Sequence, residues 1–192
     1  MSSEQQQAEI PPLTEGIAPG TATDPPVGSD EPATVTVDGT EVALESGSTL
    51  LDALDRIETD DYVPALCQYG REEIGPRSEC RTCMVDTEEY GIVPACSFPA
   101  RDGMTVRTAA REAAEARDVN LDLVLSDHNL RCTTCGKNGR CELQDASIAN
   151  EVEEPRYGVL DDREEYEPLD DSSPFIQIDR NKCILCNRCV ES

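Results

Sequence analysis

Ten cysteines and a single histidine are the side chains of this sequence whose types and spacing could do chemistry. They fall into three groups. The first is Cys67, Cys80, Cys83 and Cys96, with 12, two and 12 residues between successive members. Four thiolates are what a [2Fe-2S] cluster needs, two on each iron. The close pair Cys80 and Cys83 curls a short loop on which two sulfurs converge, while Gly75 and Pro76 suit an irregular loop reaching Cys67. Arg81, inside the pair, offers a cation or N–H donors to an anionic cluster. A zinc ion held by four cysteines is the rival, because two residues between cysteines is also a zinc spacing. Such zinc sites more often pair two tight knuckles, and only one is present here.

The second group is His128, Cys132, Cys135 and Cys141, separated by three, two and five residues. One neutral imidazole and three thiolates complete a [4Fe-4S] cubane, each ligand taking one iron. Gly136 and Gly139 allow the backbone to wrap closely between the last two cysteines. A lone histidine is usually a polar surface residue, but its place ahead of three clustered cysteines favours ligation. Zinc is again the rival. The third group, Cys183, Cys186 and Cys189, is the first three-quarters of a bacterial ferredoxin run, whose next ligand follows after three intervening residues. The sequence stops at Ser192. The expectation is therefore a second [4Fe-4S] site whose fourth ligand is absent from the chain, which is then a fragment or takes that ligand from elsewhere. A third reading, a catalytic thiol pair at Cys80 and Cys83, calls for a thioredoxin-like βαβ context that the sequence does not offer. No residue is expected to act as acid, base or nucleophile.

The elements that must position these ligands are partly legible. Val35 and Val37 alternate with Thr34 and Thr36, Asp38-Gly39 supplies a tight turn, and Val42 and Leu44 return, which predicts a β-hairpin. Ser48 and Thr49 then open a helix, with Asp52 completing a capping box and Leu50, Leu51, Leu54 and Ile57 on one apolar face. Met84-Val85 and Ile92-Val93, joined by a turn ending at Gly91, predict a second hairpin. Asp102-Gly103 turns the chain into Met104-Thr105-Val106. From Thr108 to about Leu125 an Ala-rich stretch reads as a helix leading into His128. Residues 151–173 read as an acidic linker containing Pro155 and Pro168. Phe175-Ile176-Gln177-Ile178 resembles a short strand delivering Cys183.

Composition sets outer bounds. Residues 1–32 carry six of the 13 prolines and no Lys or Arg, and read as a disordered acidic tail. At 192 residues the chain is a module rather than a large catalytic core. Ten cysteines without a secretory h-region point to reduced thiols and metal ligation in the cytoplasm. The formal net charge of −24 repels phosphate backbones, which argues against nucleic acid as a partner. No apolar stretch approaches the roughly 18 residues of a membrane span, so any membrane association is peripheral, through partner subunits. Acid spread over every segment reads as a halophile's solvated surface rather than a localised docking face.

With these residues in view, the chain resembles the N-terminal electron-transfer region shared by the large iron-sulfur subunit of complex I, NAD-linked formate dehydrogenase alpha subunits and hydrogenase diaphorase subunits. The likeness covers about residues 33–192. It rests on Pro64 before Cys67, Cys80-Arg81-Thr82-Cys83, Asp102-Gly103-Met104, the His128-to-Cys141 constellation closed by Glu142-Leu143-Gln144, and the run from Cys183 to Val190. Thr133, Gly136 and Lys182 depart from the complex I pattern, which has Pro, an acid and Arg there. The resemblance implies the three ligand sets above. It also implies redox partner subunits or domains that bind molybdopterin, or flavin and NAD. The acidity adds a likeness to haloarchaeal formate dehydrogenases. The expected class is α+β: a β-grasp [2Fe-2S] ferredoxin domain over 33–108, a small helical [4Fe-4S] domain over 109–150, the linker over 151–173, and the start of a bacterial-ferredoxin-type domain over 174–192. The expected function is electron transfer between clusters, most readily for a formate dehydrogenase.

Overall fold

The computed structural model of the chain describes residues 31–68, 78–152, 155–157 and 167–190. Nearly all of the expected tail, the Gly75-Pro76 loop and much of the expected linker lie outside them. The class is α+β. Strands β1 (Ala33–Val37) and β2 (Thr40–Leu44) precede helix α1 (Leu50–Leu54). Strands β3 (Met84–Thr87), β4 (Gly91–Pro94) and β5 (Thr105–Arg107) follow, then helices α2 (Arg111–Ser126) and α3 (Glu142–Ala149). Two single 3-10 turns, Cys132–Thr134 and Arg180–Lys182, sit among the cysteines.

The five strands form one sheet in the order β2-β1-β5-β3-β4. β1 pairs antiparallel with β2 and parallel with β5, while β3 pairs antiparallel with both β4 and β5. Asp38 and Gly39 take φ of +47° and +84°, the positive pair that a two-residue hairpin turn demands. Alternation then places Val35, Val37, Val42, Leu44, Val85 and Val106 in one buried core against Leu50, Leu51 and Leu54 of α1. Thr49 N–H donates to Asp52 Oδ2 at 2.6 Å, the capping contact that the sequence calls for. The helix is shorter than its apolar pattern suggested: it ends at Leu54, and Ile57 packs on the core from the segment beyond it.

A second core joins Leu121 and Leu125 of α2 to Leu143 and Ala146 of α3. Leu66, beside Cys67, is buried in this second core, so the loop carrying Cys67 is packed against the helices as well as the sheet. Helix α2 starts at Arg111 rather than Thr108. The reason is local: Thr108 N–H and Oγ1–H both donate to the Asp38 carboxylate, at 2.8 and 2.6 Å, which holds residue 108 at the end of the sheet.

Arg117 of α2 fastens these parts. Its side chain is wholly buried. Nη1 donates to Met84 O at 3.0 Å and Thr108 O at 2.9 Å, Nη2 to Asp61 Oδ2 at 2.8 Å, and Nε to Asn150 Oδ1 at 3.3 Å. Sheet, α2, the end of α3 and the segment leading to Cys67 thus share one guanidinium.

The expected strand at 175–178 is not formed. Phe175 is 92% exposed, and the segment makes only an isolated bridge between Ile178 and Asp170. Among the described residues this run of β-formers has no strand to pair with, and propensity alone does not make a ladder.

Replacing Arg117 by Ala leaves buried carbonyls at Met84 and Thr108 and the Asp61 carboxylate without their donor, a loss of about 3 kcal/mol. Urea unfolding at matched cluster content should show it as a lower midpoint.

Candidate iron-sulfur sites

The first four thiols are brought together by the ends of the β3-β4 hairpin and the loops packed on it. Cys83 immediately precedes β3, and Cys96 lies two residues beyond β4. Ala95 N–H donates to Cys83 O at 2.9 Å, while Leu51 and Leu50 N–H groups donate to Ala95 O and Phe98 O, both at 3.0 Å. The start of α1 therefore holds the Cys96 turn in place. The sulfurs make a continuous chain of contacts: Cys80 with Cys67, Cys67 with Cys96, and Cys96 with Cys83. Contact with Cys67, then burial, pushes the Cys80 thiol well above its ordinary value. Hydrogen bonding from Cys96 draws Cys83 down. Among the described residues no three His, Cys, Asp or Glu side chains close on a single point as the ligands of one ion do.

Arg81 adopts φ +55°, and its side chain is exposed. Left-handed backbone between two cysteines recurs in the third group, at Leu185 (φ +53°) and Asn187 (φ +55°). Such turns aim amides at sulfur: Leu185 N–H reaches Cys183 Sγ at 3.4 Å. Lys137 N–H approaches Cys135 Sγ similarly, at 3.5 Å, in the second group.

In the second group His128 follows the end of α2, its N–H donating to Leu125 O at 3.1 Å. Cys132 opens a 3-10 turn that Cys135 N–H closes at 3.1 Å, and Cys141 caps the start of α3. Of the two glycines only Gly139 needs its freedom, at φ +75°. Its N–H donates to Gln144 Oε1 at 3.0 Å, and Gln144 Nε2 donates to Asn138 Oδ1 at 3.1 Å. His128, Cys132 and Cys141 line one cavity of 280 Å³. His128, Cys135 and Cys141 line another of 550 Å³ that also meets Cys186 and Cys189. Burial, then the charge of Lys182, lowers the pKa of His128. Its Nδ1 is buried with no hydrogen-bond partner among the described residues. A neutral imidazole with an unpartnered ring nitrogen, beside three thiols, fits a metal ligand.

The third group lies between the other two, although it is last in sequence. Asn187 Nδ2 donates to Glu79 Oε2 at 2.8 Å, next to Cys80. Arg188 donates both to Leu66 O, next to Cys67, and to the Glu142 carboxylate, next to Cys141. Asn129 N–H, next to His128, donates to Asn181 O at 2.7 Å. A cleft of 480 Å³ contains both Cys80 and Cys183. Sequence reasoning missed Arg188, Asn181 and Thr82 as contributors. Their one visible signal was a place within or just before a cysteine motif.

Thiols gathered in this way on loops of a ferredoxin-type sheet and a helical pair define an iron-sulfur protein. Residues 30–111 match the family of 2Fe-2S iron-sulfur cluster binding domains, and residues 117–156 match the NADH-ubiquinone oxidoreductase-G iron-sulfur binding region. The chain carries these two regions in succession; it is an electron-transfer module with a [2Fe-2S] and a [4Fe-4S] centre. It is 38% identical over 158 residues to an NADH-quinone oxidoreductase subunit of Rhizobium meliloti, covering 81% of this chain and 18% of that protein. Against the NADP-reducing hydrogenase subunit HndD of Solidesulfovibrio fructosivorans the identity is 36%, over 81% of this chain and 26% of the relative. A Staphylococcus haemolyticus protein, provisionally named a formate dehydrogenase, is 38% identical over 82% of this chain and 15% of its own length. The chain thus spans a quarter or less of most of the curated relatives it matches. Among solved structures, an NAD+-reducing [NiFe]-hydrogenase superposes with a TM-score of 0.70 at 28% identity, covering 82% of this chain and 64% of that one. A haloarchaeal origin finds no support in these likenesses.

Separate ligand sets make a sharp expectation: Cys80→Ser abolishes the [2Fe-2S] EPR signal and leaves the [4Fe-4S] signal, while His128→Ala perturbs only the latter. Joint loss of both signals in either folded variant would show that the sets are not separate.

Proposed function

We propose that the chain relays single electrons through three contiguous centres: a [2Fe-2S] cluster on Cys67, Cys80, Cys83 and Cys96, a [4Fe-4S] cluster on Cys183, Cys186 and Cys189, and a [4Fe-4S] cluster on His128, Cys132, Cys135 and Cys141. Each cluster, when bound, takes up and releases one electron at a time. The single observation that carries the reading is the seat of the third cysteine segment. It is hydrogen-bonded to residues adjacent to ligands of both other groups, Glu79 and Leu66 on one side and Glu142 and Asn129 on the other. The protein's own contribution is to hold thiolates, keep the imidazole neutral, direct amides at sulfur and bury Cys67, Cys83 and Cys96 from water.

On this reading the sheet with α1 is a β-grasp ferredoxin domain, the α2-α3 pair a helical cluster domain, and the last segment part of a ferredoxin-type domain. The finer assignment that we propose is a formate dehydrogenase. Its support is the 33–38% identity to relatives provisionally so named. The equal identity to a component of NADH-quinone oxidoreductase sustains the complex I alternative. Electrons then pass to or from a partner carrying molybdopterin, or flavin and NAD. Among the described residues no helix is long and apolar enough to cross a membrane, and a cytoplasmic place, at most peripheral to a membrane, goes with the proposal.

Anaerobically reconstituted, dithionite-reduced protein should contain iron and sulfide and show a [2Fe-2S] EPR signal beside a fast-relaxing [4Fe-4S] signal. Stoichiometric zinc without sulfide or signal would replace the relay with a zinc-stapled binding module. In the complex purified from its host through a tag on this chain, formate should bleach the iron-sulfur absorption; bleaching by NADH but not formate selects the complex I assignment instead.

A further inference from the structure

Thr82 carries a hydroxyl into the interior, between the loops that bear Cys67 and Cys80. The residue is 0% exposed, and a buried hydroxyl is destabilising unless it is bonded. Three polar atoms surround its Oγ1: Pro64 O at 3.2 Å, Leu66 N at 3.4 Å and Cys80 Sγ at 3.2 Å. The first two belong to the loop that carries Cys67, the third to the loop that carries Cys80.

The inventory of donors decides the direction of these contacts. Leu66 N–H can only donate, so Thr82 Oγ1 accepts it. The one hydroxyl proton is left for Pro64 O or Cys80 Sγ. A sulfur that binds iron is a thiolate with no proton to give. At equal distance the anionic sulfur is a stronger acceptor than the neutral carbonyl.

We propose that Thr82 sets the reduction potential of the [2Fe-2S] centre by donating its hydroxyl proton to Cys80 Sγ while accepting from Leu66 N–H. This rests on the ligand set given above. The result is a two-bond chain running from the backbone beside Cys67 to the sulfur of Cys80, in which the first bond polarises the second. When one electron enters from an external reductant, no bond at Thr82 forms or breaks and no proton moves. The added negative charge falls partly on the ligand sulfurs and strengthens the hydrogen bond, which favours the reduced state. The other hydroxyl near this site, Ser78 Oγ, is more distant from its sulfur, 3.7 Å from Cys96 Sγ, and is already paired with Ser97.

The test compares Thr82→Val and Thr82→Ser with the wild-type chain, all reconstituted anaerobically. Iron and sulfide content is measured first, then both EPR signals are followed through a redox titration. The expected result is a [2Fe-2S] midpoint shifted to lower potential with altered g-values in Thr82→Val. Thr82→Ser should keep the wild-type value, and the [4Fe-4S] midpoint should stay unmoved in both variants. A Val variant loaded to the wild-type level with an unchanged midpoint overturns the proposal. So does an equal shift in the Ser variant, which would assign the effect to packing of the methyl group. Where Thr82→Val does not take up cluster, Thr82→Ala compared with Thr82→Ser makes the same decision. Failure of the wild-type chain itself to give a [2Fe-2S] signal would instead refute the ligand set beneath the proposal.

Discussion

The buried guanidinium of Arg117 is the constraint on which the arrangement depends. It serves Met84 O one residue beyond Cys83, Thr108 O at the end of the sheet, and Asp61 in the segment that runs to Cys67. A charge in a core is tolerated only when its donors are used, so the four bonds of Arg117 fix four segments at once. Sheet and helices could otherwise slide on one another, since each core is largely closed by aliphatic packing with no directional preference. Asp38 extends the lock: the carboxylate in the β1-β2 turn holds Thr108, and Thr108 Oγ1 in turn accepts from Asp61 N–H at 3.0 Å.

Within that frame the cysteine loops solve a second problem, which is to turn sharply and still satisfy their amides. Residues between paired cysteines take left-handed backbone at Arg81, Leu185 and Asn187, none of them glycine. Each such residue costs on the order of 1 kcal/mol or more. At Leu185 the compensation is an amide that faces Cys183 Sγ instead of solvent. These loops are also cross-braced to each other through polar side chains next to ligands, with Arg188 bridging all three groups. Ile184 adds apolar contact with the second core.

Electrostatics separates the cluster region from the rest of the chain. Forty acidic residues face only 16 basic ones. Yet Lys137 and Lys182, the only lysines in the sequence, line the same cavity as Arg188, His128 and four of the cysteines. Cationic groups beside anionic centres in an acidic protein lower the Coulombic cost of adding an electron. Spread over the surface, the same charges would be screened within about 10 Å at moderate salt.

Spacing and pattern alone marked out the three cysteine groups, the two hairpins, the capping box of α1 and the mixed class. These depend on spacing, alternation and turn residues, all of which act over a few positions. The sequence did not disclose that the last cysteine group sits between the first two, because contacts such as Asn187 to Glu79 or Arg188 to Leu66 span more than 100 residues and leave no local pattern. Nor could alternation at Phe175–Ile178 say whether a partner strand exists; the tertiary structure provides none among the described residues, and the segment stays unpaired apart from its single bridge. Thr82 shows the same division. Its place between two cysteines is written in the chain, but its burial against Pro64, Leu66 and Cys80 is decided only when Arg117 and the second core bring the two loops together.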